Sequence, residues 1–189
     1  MEDTNKYQKK ILTIPNILSF VRICLIPVII WLYLGKQDYF WTSITVLFSG
    51  LTDIVDGTIA RKFNMISDVG KVLDPVADKA TQFVVAILLT TRFPLMLLPI
   101  IVGAVKEIFM AVSGYLVVKK CDIVLGSHWH GKLATVMLTG TIALHLFWFD
   151  INSVLSTVLI IISTASIILS LALYAIRNIR YLTGKIKAE

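Results

Sequence analysis

The sequence predicts an all-α integral membrane protein of six transmembrane helices. Three observations carry this expectation. The 189 residues are 57% hydrophobic and only 16% charged, against about 25% charged in an average soluble domain. Six mostly apolar stretches, near 16–35, 39–60, 71–91, 94–118, 132–149 and 151–177, reach the roughly 20 residues that a spanning helix needs. The basic residues also fall almost entirely on one side of these stretches. Together with a mean hydropathy of +0.81, this excludes a disordered chain, a collagen-like repeat and an ordinary soluble globule.

The first stretch follows a short basic head, 1–12. Its apolar run is long, Pro15 precedes it and no small-residue cleavage site follows, so it reads as a retained helix rather than a signal peptide. Breakers and polar residues separate the helices on the far side: Gly35-Lys36-Gln37-Asp38, Arg92-Phe93-Pro94 and Asp150-Ile151-Asn152-Ser153. No internal repeat or linker interrupts the chain, so residues 1–189 read as one membrane domain, with a basic tail at 178–189. Cys24 and Cys121 are too few for a disulfide framework.

Of the 18 basic residues, only Lys36 and Arg92 fall on the side opposite the termini. The positive-inside rule then puts both termini in the cytosol. An even number of helices agrees with that. The net charge of +6 is accounted for by these cytosolic loops, with no need of a nucleic-acid partner. Trp31, Trp41, Trp129 and Trp148 lie near helix ends, where an interfacial aromatic belt is expected.

The second and third stretches depart from a plain apolar bundle. Asp53, Asp56, Asp74 and Asp78 account for four of the 12 acidic residues. Carboxylates in apolar helices are costly and mark functional sites. At about 100° per residue, Asp53, Asp56, Gly57 and Ala60 share one helical stripe. Gly70, Asp74 and Asp78 step by four along another. A short cytosolic turn lets the stripes face each other around a cavity. Carboxylates crowded in this way disfavour one another's ionised form. Two divalent cations would offset them, and oxygen donors suit Mg²⁺, Mn²⁺ or Ca²⁺. Arg61 can pair with a phosphate oxygen. The alternative is a set of internal salt bridges to Arg22, Lys71, Lys79 or Lys106. A cation or proton path through the four aspartates is a further alternative, of another functional class.

The spacing Asp53-x-x-Asp56-Gly57-x-x-Ala60-Arg61, then eight residues, then Gly70-x-x-x-Asp74-x-x-x-Asp78, resembles the signature of the CDP-alcohol phosphotransferases at every fixed position. The resemblance implies six membrane helices with a polar metal site at the cytosolic end, two divalent cations (Mg²⁺ or Mn²⁺), and a homodimer in the cell's inner membrane. It implies transfer of a phosphatidyl group from CDP-diacylglycerol to an alcohol, with release of CMP. It assigns Asp53, Asp56, Asp74 and Asp78 to the metals and Asp78 also to the acceptor's proton. Gly57, Ala60, Arg61, Ser67, Gly70 and Asn16 are assigned to the CDP donor.

Thr13-Ile-Pro-Asn-Ile-Leu-Ser-Phe-Val-Arg22, Leu73-Asp-Pro-Val-Ala-Asp-Lys79 and Gly131-Lys132-Leu-Ala-Thr135 resemble the branch holding the bacterial phosphatidylglycerophosphate synthases and the related cardiolipin synthases. One departure bears on the acceptor. The Arg-Glu usual in helix four is Lys106-Glu107 here, with no arginine following in 108–116, and lysine lacks the bidentate fork that grips phosphate. Arg22, Lys106, Lys119, Lys120 and Lys132 are the candidate acceptor groups. The departure favours phosphatidylglycerol, the alternative acceptor, whereas the resemblance at 13–22 and 131–135, with these cations to meet a small dianion, favours glycerol 3-phosphate. Cys121, His128 and His130 match no standard zinc spacing, and His145 reads as a satisfied core histidine.

Overall fold

A computed structural model describes residues 13–62, 68–121, 126 and 128–183, with side chains described except at 14, 15, 53–62, 68, 69, 71, 72 and 121. Six α-helices make up the described chain: α1 Ile14–Ile30, α2 Tyr39–Lys62, α3 Asp68–Thr90, α4 Leu97–Cys121, α5 Trp129–Phe147 and α6 Ser153–Leu182. They fall within a few residues of the six stretches expected from hydropathy. Among the described residues, three segments are long and apolar enough to cross a membrane: Asn16–Gly35, Pro94–Lys120 and Ser153–Leu182. The chain divides into two compact units, Met1–Leu88 and Leu89–Glu189.

In the first unit, Thr13 caps α1 by accepting the Asn16 amide, which fixes where the polar face of this helix begins. Pro27 removes one amide donor inside α1. The chain continues as a π-helical turn, Trp31–Gly35. Gln37 then takes a left-handed φ of 52° and reverses the direction. Asp38 starts α2, its carboxylate accepting the Trp41 amide at 3.1 Å and its carbonyl the Thr42 hydroxyl at 2.7 Å. The Tyr33 and Tyr39 rings meet edge to face across this turn, 5.1 Å between centroids. Where α1 packs on α2, the buried α2 residues Thr42, Ser43, Ser49 and Thr52 are small, which lets two apolar helices approach closely. On α3 the buried residues Gly70, Ala77, Thr81 and Val85 are spaced by seven, four and four positions, which keeps them on one helical face.

In the second unit, α6 packs against both α4 and α5. Its buried positions Ser156, Ile160, Ser163, Ile167, Ser170 and Tyr174 alternate steps of three and four, the heptad seam of close helix packing. Serines at every seventh place keep that seam thin. Asn152 caps α6 by accepting the Val154 amide at 2.8 Å. His145 is buried within this unit. Its Nδ1 lies 2.7 Å from the Thr141 carbonyl, which can only accept, so Nδ1 carries the proton. Its Nε2 then accepts from the Ser156 hydroxyl at 2.8 Å. Both ring nitrogens are engaged, as expected of a satisfied core histidine. Trp31, Trp41, Trp129 and Trp148 are all exposed and all at helix ends.

Candidate active site

The site is built in the first unit, where α1 meets α3. A three-residue step along α1 sets Asn16, Ser19 and Arg22 on one side of the helix, and all three are buried. The four-residue step along α3 sets out Gly70, Asp74 and Asp78. The two rows meet. The Ser19 hydroxyl donates to Asp74 Oδ1, and Arg22 Nη1 pairs with Asp78 Oδ1. The Arg22 side chain is 2% exposed and that of Asp78 43%. The cation is therefore enclosed by protein while its carboxylate keeps an open side.

Asp53, Asp56, Gly57, Ala60 and Arg61 fall in the last turns of α2 as expected, but their side chains lie outside those described. Ser67 lies outside the described residues. The structure thus brings together Asp74, Asp78, Ser19 and Arg22. Ser19 is not among the residues the sequence assigns to the site, although it continues the three-residue polar step from Asn16 to Arg22. Arg22, assigned to the acceptor and, as the alternative, to a salt bridge with an intramembrane aspartate, makes that salt bridge, with Asp78.

The remaining acceptor candidates lie in the second unit. Lys106 Nζ sits 3.2 Å from Glu107 Oε1. Lys119 and Lys132 are exposed. Lys120 has a capping position instead: its ammonium donates to the Leu182 carbonyl at 2.6 Å, one of the orphan acceptors at the end of α6.

A cluster not foreseen forms where α5 starts. The Tyr174 hydroxyl accepts the His128 amide at 2.9 Å. The His130 ring lies edge-on to Tyr174, 4.4 Å between centroids, and is stacked with His128 at 5.5 Å. Gly131 is required here, because a Cβ at this position would lie 2.3 Å from the Tyr174 hydroxyl. That gives a packing reason for the glycine of Gly131-Lys132-Leu-Ala-Thr135. Arg177 stands over the other part of Tyr174, 4.9 Å from the ring centroid. It donates from Nε to Asn178 at 3.2 Å and from Nη1 to the Gly126 carbonyl at 3.1 Å. Its Nη2 is buried with no hydrogen-bond partner among the described residues. Arg177 brings one fixed positive charge to this cluster. Arg177 reads from sequence only as a basic residue at the end of the last apolar stretch, since its neighbours in this cluster lie far off in the chain.

A family model for CDP-alcohol phosphatidyltransferase matches residues 12–177. The chain belongs to this family. Among curated proteins it is similar to a CMP-forming cardiolipin synthase of Streptomyces coelicolor, 39% identical over 84 residues, 42% of this chain and 39% of that protein. It is also similar to a CDP-diacylglycerol–glycerol-3-phosphate 3-phosphatidyltransferase of Aquifex aeolicus, 28% identical over 175 residues, 89% of this chain and 97% of that protein. A protein of the latter name from Rickettsia typhi is 40% identical over 81 residues, 42% of this chain and 46% of that protein. The matches to the cardiolipin synthases thus span less than half of those proteins' length.

Proposed function

We propose that the protein is a phosphatidyltransferase that moves a phosphatidyl group from CDP-diacylglycerol to glycerol 3-phosphate and releases CMP. The observation that carries this is the meeting of Asp74 and Asp78, both signature positions, with buried Ser19 and Arg22. The donor set fits hard divalent cations: the two described carboxylates offer oxygen only, and the Asp78 carboxylate keeps an open side. Asp53, Asp56, Asp74 and Asp78 would hold two such ions, Mg²⁺ or Mn²⁺. When bound, these offset charge on the phosphates and on the departing CMP.

The chain's own residues do the rest. Ser19 orients Asp74. Asp78 takes the proton of the acceptor hydroxyl as that oxygen attacks the phosphate bearing diacylglycerol. Arg61 is assigned to a donor phosphate, and Gly57, Ala60, Ser67, Gly70 and Asn16 to the rest of the CDP donor, on the family signature. All six helices span the bilayer as one domain, the site and both termini face the cytosol, and the enzyme works as a homodimer in the cell's inner membrane.

Glycerol 3-phosphate is favoured over a lipid acceptor for two reasons. A small dianion needs cations, and the sequence offers Lys106, Lys119 and Lys132 for it. The similarity to the Aquifex aeolicus protein also runs nearly the full length of both chains. The matches to proteins named cardiolipin synthase support the second reading, with phosphatidylglycerol as acceptor. An acceptor panel with purified full-length protein and CDP-diacylglycerol decides between them. Glycerol 3-phosphate should support CMP release, and Lys106→Ala should raise its KM more than it lowers kcat. Turnover with phosphatidylglycerol alone would make the protein a cardiolipin synthase.

A further inference from the structure

We infer, on the metal reading proposed above, that Arg22 is the built-in counter-ion of Asp78, competing with a divalent cation for that carboxylate and so setting how tightly the site holds its metal. Arg22 is almost wholly buried and its guanidinium is paired with Asp78 Oδ1. Arginine stays charged at any working pH, so it cannot yield its place by losing a proton. The Asp78 carboxylate is not enclosed, with 43% of its side chain exposed. It can therefore take a second cation on its open side.

Two cations on one carboxylate repel each other, and each weakens the hold of the other. The buried guanidinium is held close, so the repulsion persists although solvent on the open side of Asp78 reduces it. The guanidinium is also fixed in place. It extends from α1 one turn beyond Ser19, whose hydroxyl holds Asp74. One face of α1 thus contacts both aspartates and keeps a positive charge beside one of them. With the carboxylates empty, Arg22 limits their mutual repulsion. With metal bound, it adds positive charge where a diphosphate must approach. Arg22 is in this account a positioning and charge-setting residue, acting on the reaction through Asp78.

The sign of the effect separates this role from a merely structural one. If Arg22 only holds Asp78 in place, removing it leaves a slack ligand and weaker metal binding. If it competes with the metal, removing its charge gives tighter binding, by about tenfold or more for one unit charge beside a divalent ion. The test is Mn²⁺ binding, followed by electron paramagnetic resonance, to the purified full-length protein in detergent, with no donor or acceptor present. Arg22→Gln should bind Mn²⁺ at least about tenfold more tightly than wild type. Arg22→Lys, which keeps the charge, should stay within about threefold. CMP in the presence of Mn²⁺ should bind Arg22→Gln more weakly than wild type.

Equal or weaker Mn²⁺ binding by Arg22→Gln overturns the inference. Failure of the wild type to bind Mn²⁺ overturns the metal reading, and this inference falls with it. Should Arg22→Gln not fold, the wild type alone decides. Adding Mg²⁺ should then shift the Arg22 side-chain ¹H–¹⁵N resonance, assigned through Arg22→Lys, and an unmoved resonance overturns the inference.

Discussion

Asp78→Asn in the full-length protein should lower CMP release from CDP-diacylglycerol by about 10²- to 10⁴-fold, the usual range for loss of a general base. The substitution conserves shape and removes charge. It takes away the proton acceptor and one proposed metal ligand together, so the fall should lie at the upper end. It also removes a carboxylate paired with Arg22, which is 2% exposed, and losing one partner of a buried ion pair is destabilising. Thermal unfolding must therefore accompany the rate. A lower Tm with unchanged turnover per folded molecule would remove Asp78 from the chemistry. Asp74→Asn should lose turnover too but leave the Arg22 ion pair with Asp78 intact, so its Tm should move less.

Gly131→Ala should destabilise the second unit by about 1–3 kcal/mol, the usual cost of overpacking a filled core. The added carbon would lie 2.3 Å from the Tyr174 hydroxyl and 3.0 Å from Cε2 of that ring. Tyr174 cannot readily withdraw. It is buried, its hydroxyl holds the His128 amide, and His130 and Arg177 flank its ring. Thermal unfolding in detergent measures the loss. Combining Gly131→Ala with Tyr174→Leu should cost less than the sum of the two alone, because the clash and the ring are one interaction. Strict additivity would show that Tyr174 does not fill this space.

The six helices were legible because each needs a long apolar run, and such runs are local in sequence. The start of α5 was placed at 132, whereas the helix begins at Trp129. Hydropathy reports where a chain can enter lipid, and Trp129-His130-Gly131 is helical without being strongly apolar. Asp74 and Asp78 were legible for a similar reason, since a four-residue step shows in any short window. Ser19 was not, because its partner Asp74 is 55 residues away and a serine in an apolar helix carries no sign of what it meets. The capping position of Lys120 depends on the ends of α4 and α6 coming together, and the need for Gly131 depends on Tyr174 in another helix. Each of these is a tertiary contact that no local pattern records. Arg22 has two readings in sequence, an acceptor group or a salt-bridge partner of the aspartates, and only the contact with Asp78 selects the second.

The most direct test of the central claim is CMP release by purified full-length protein from CDP-diacylglycerol and glycerol 3-phosphate, with and without chelator. EDTA should abolish release, and Mg²⁺ or Mn²⁺ should restore it. Full activity in EDTA would contradict the metal-dependent site, and no CMP release with any alcohol acceptor would contradict the proposed transferase itself.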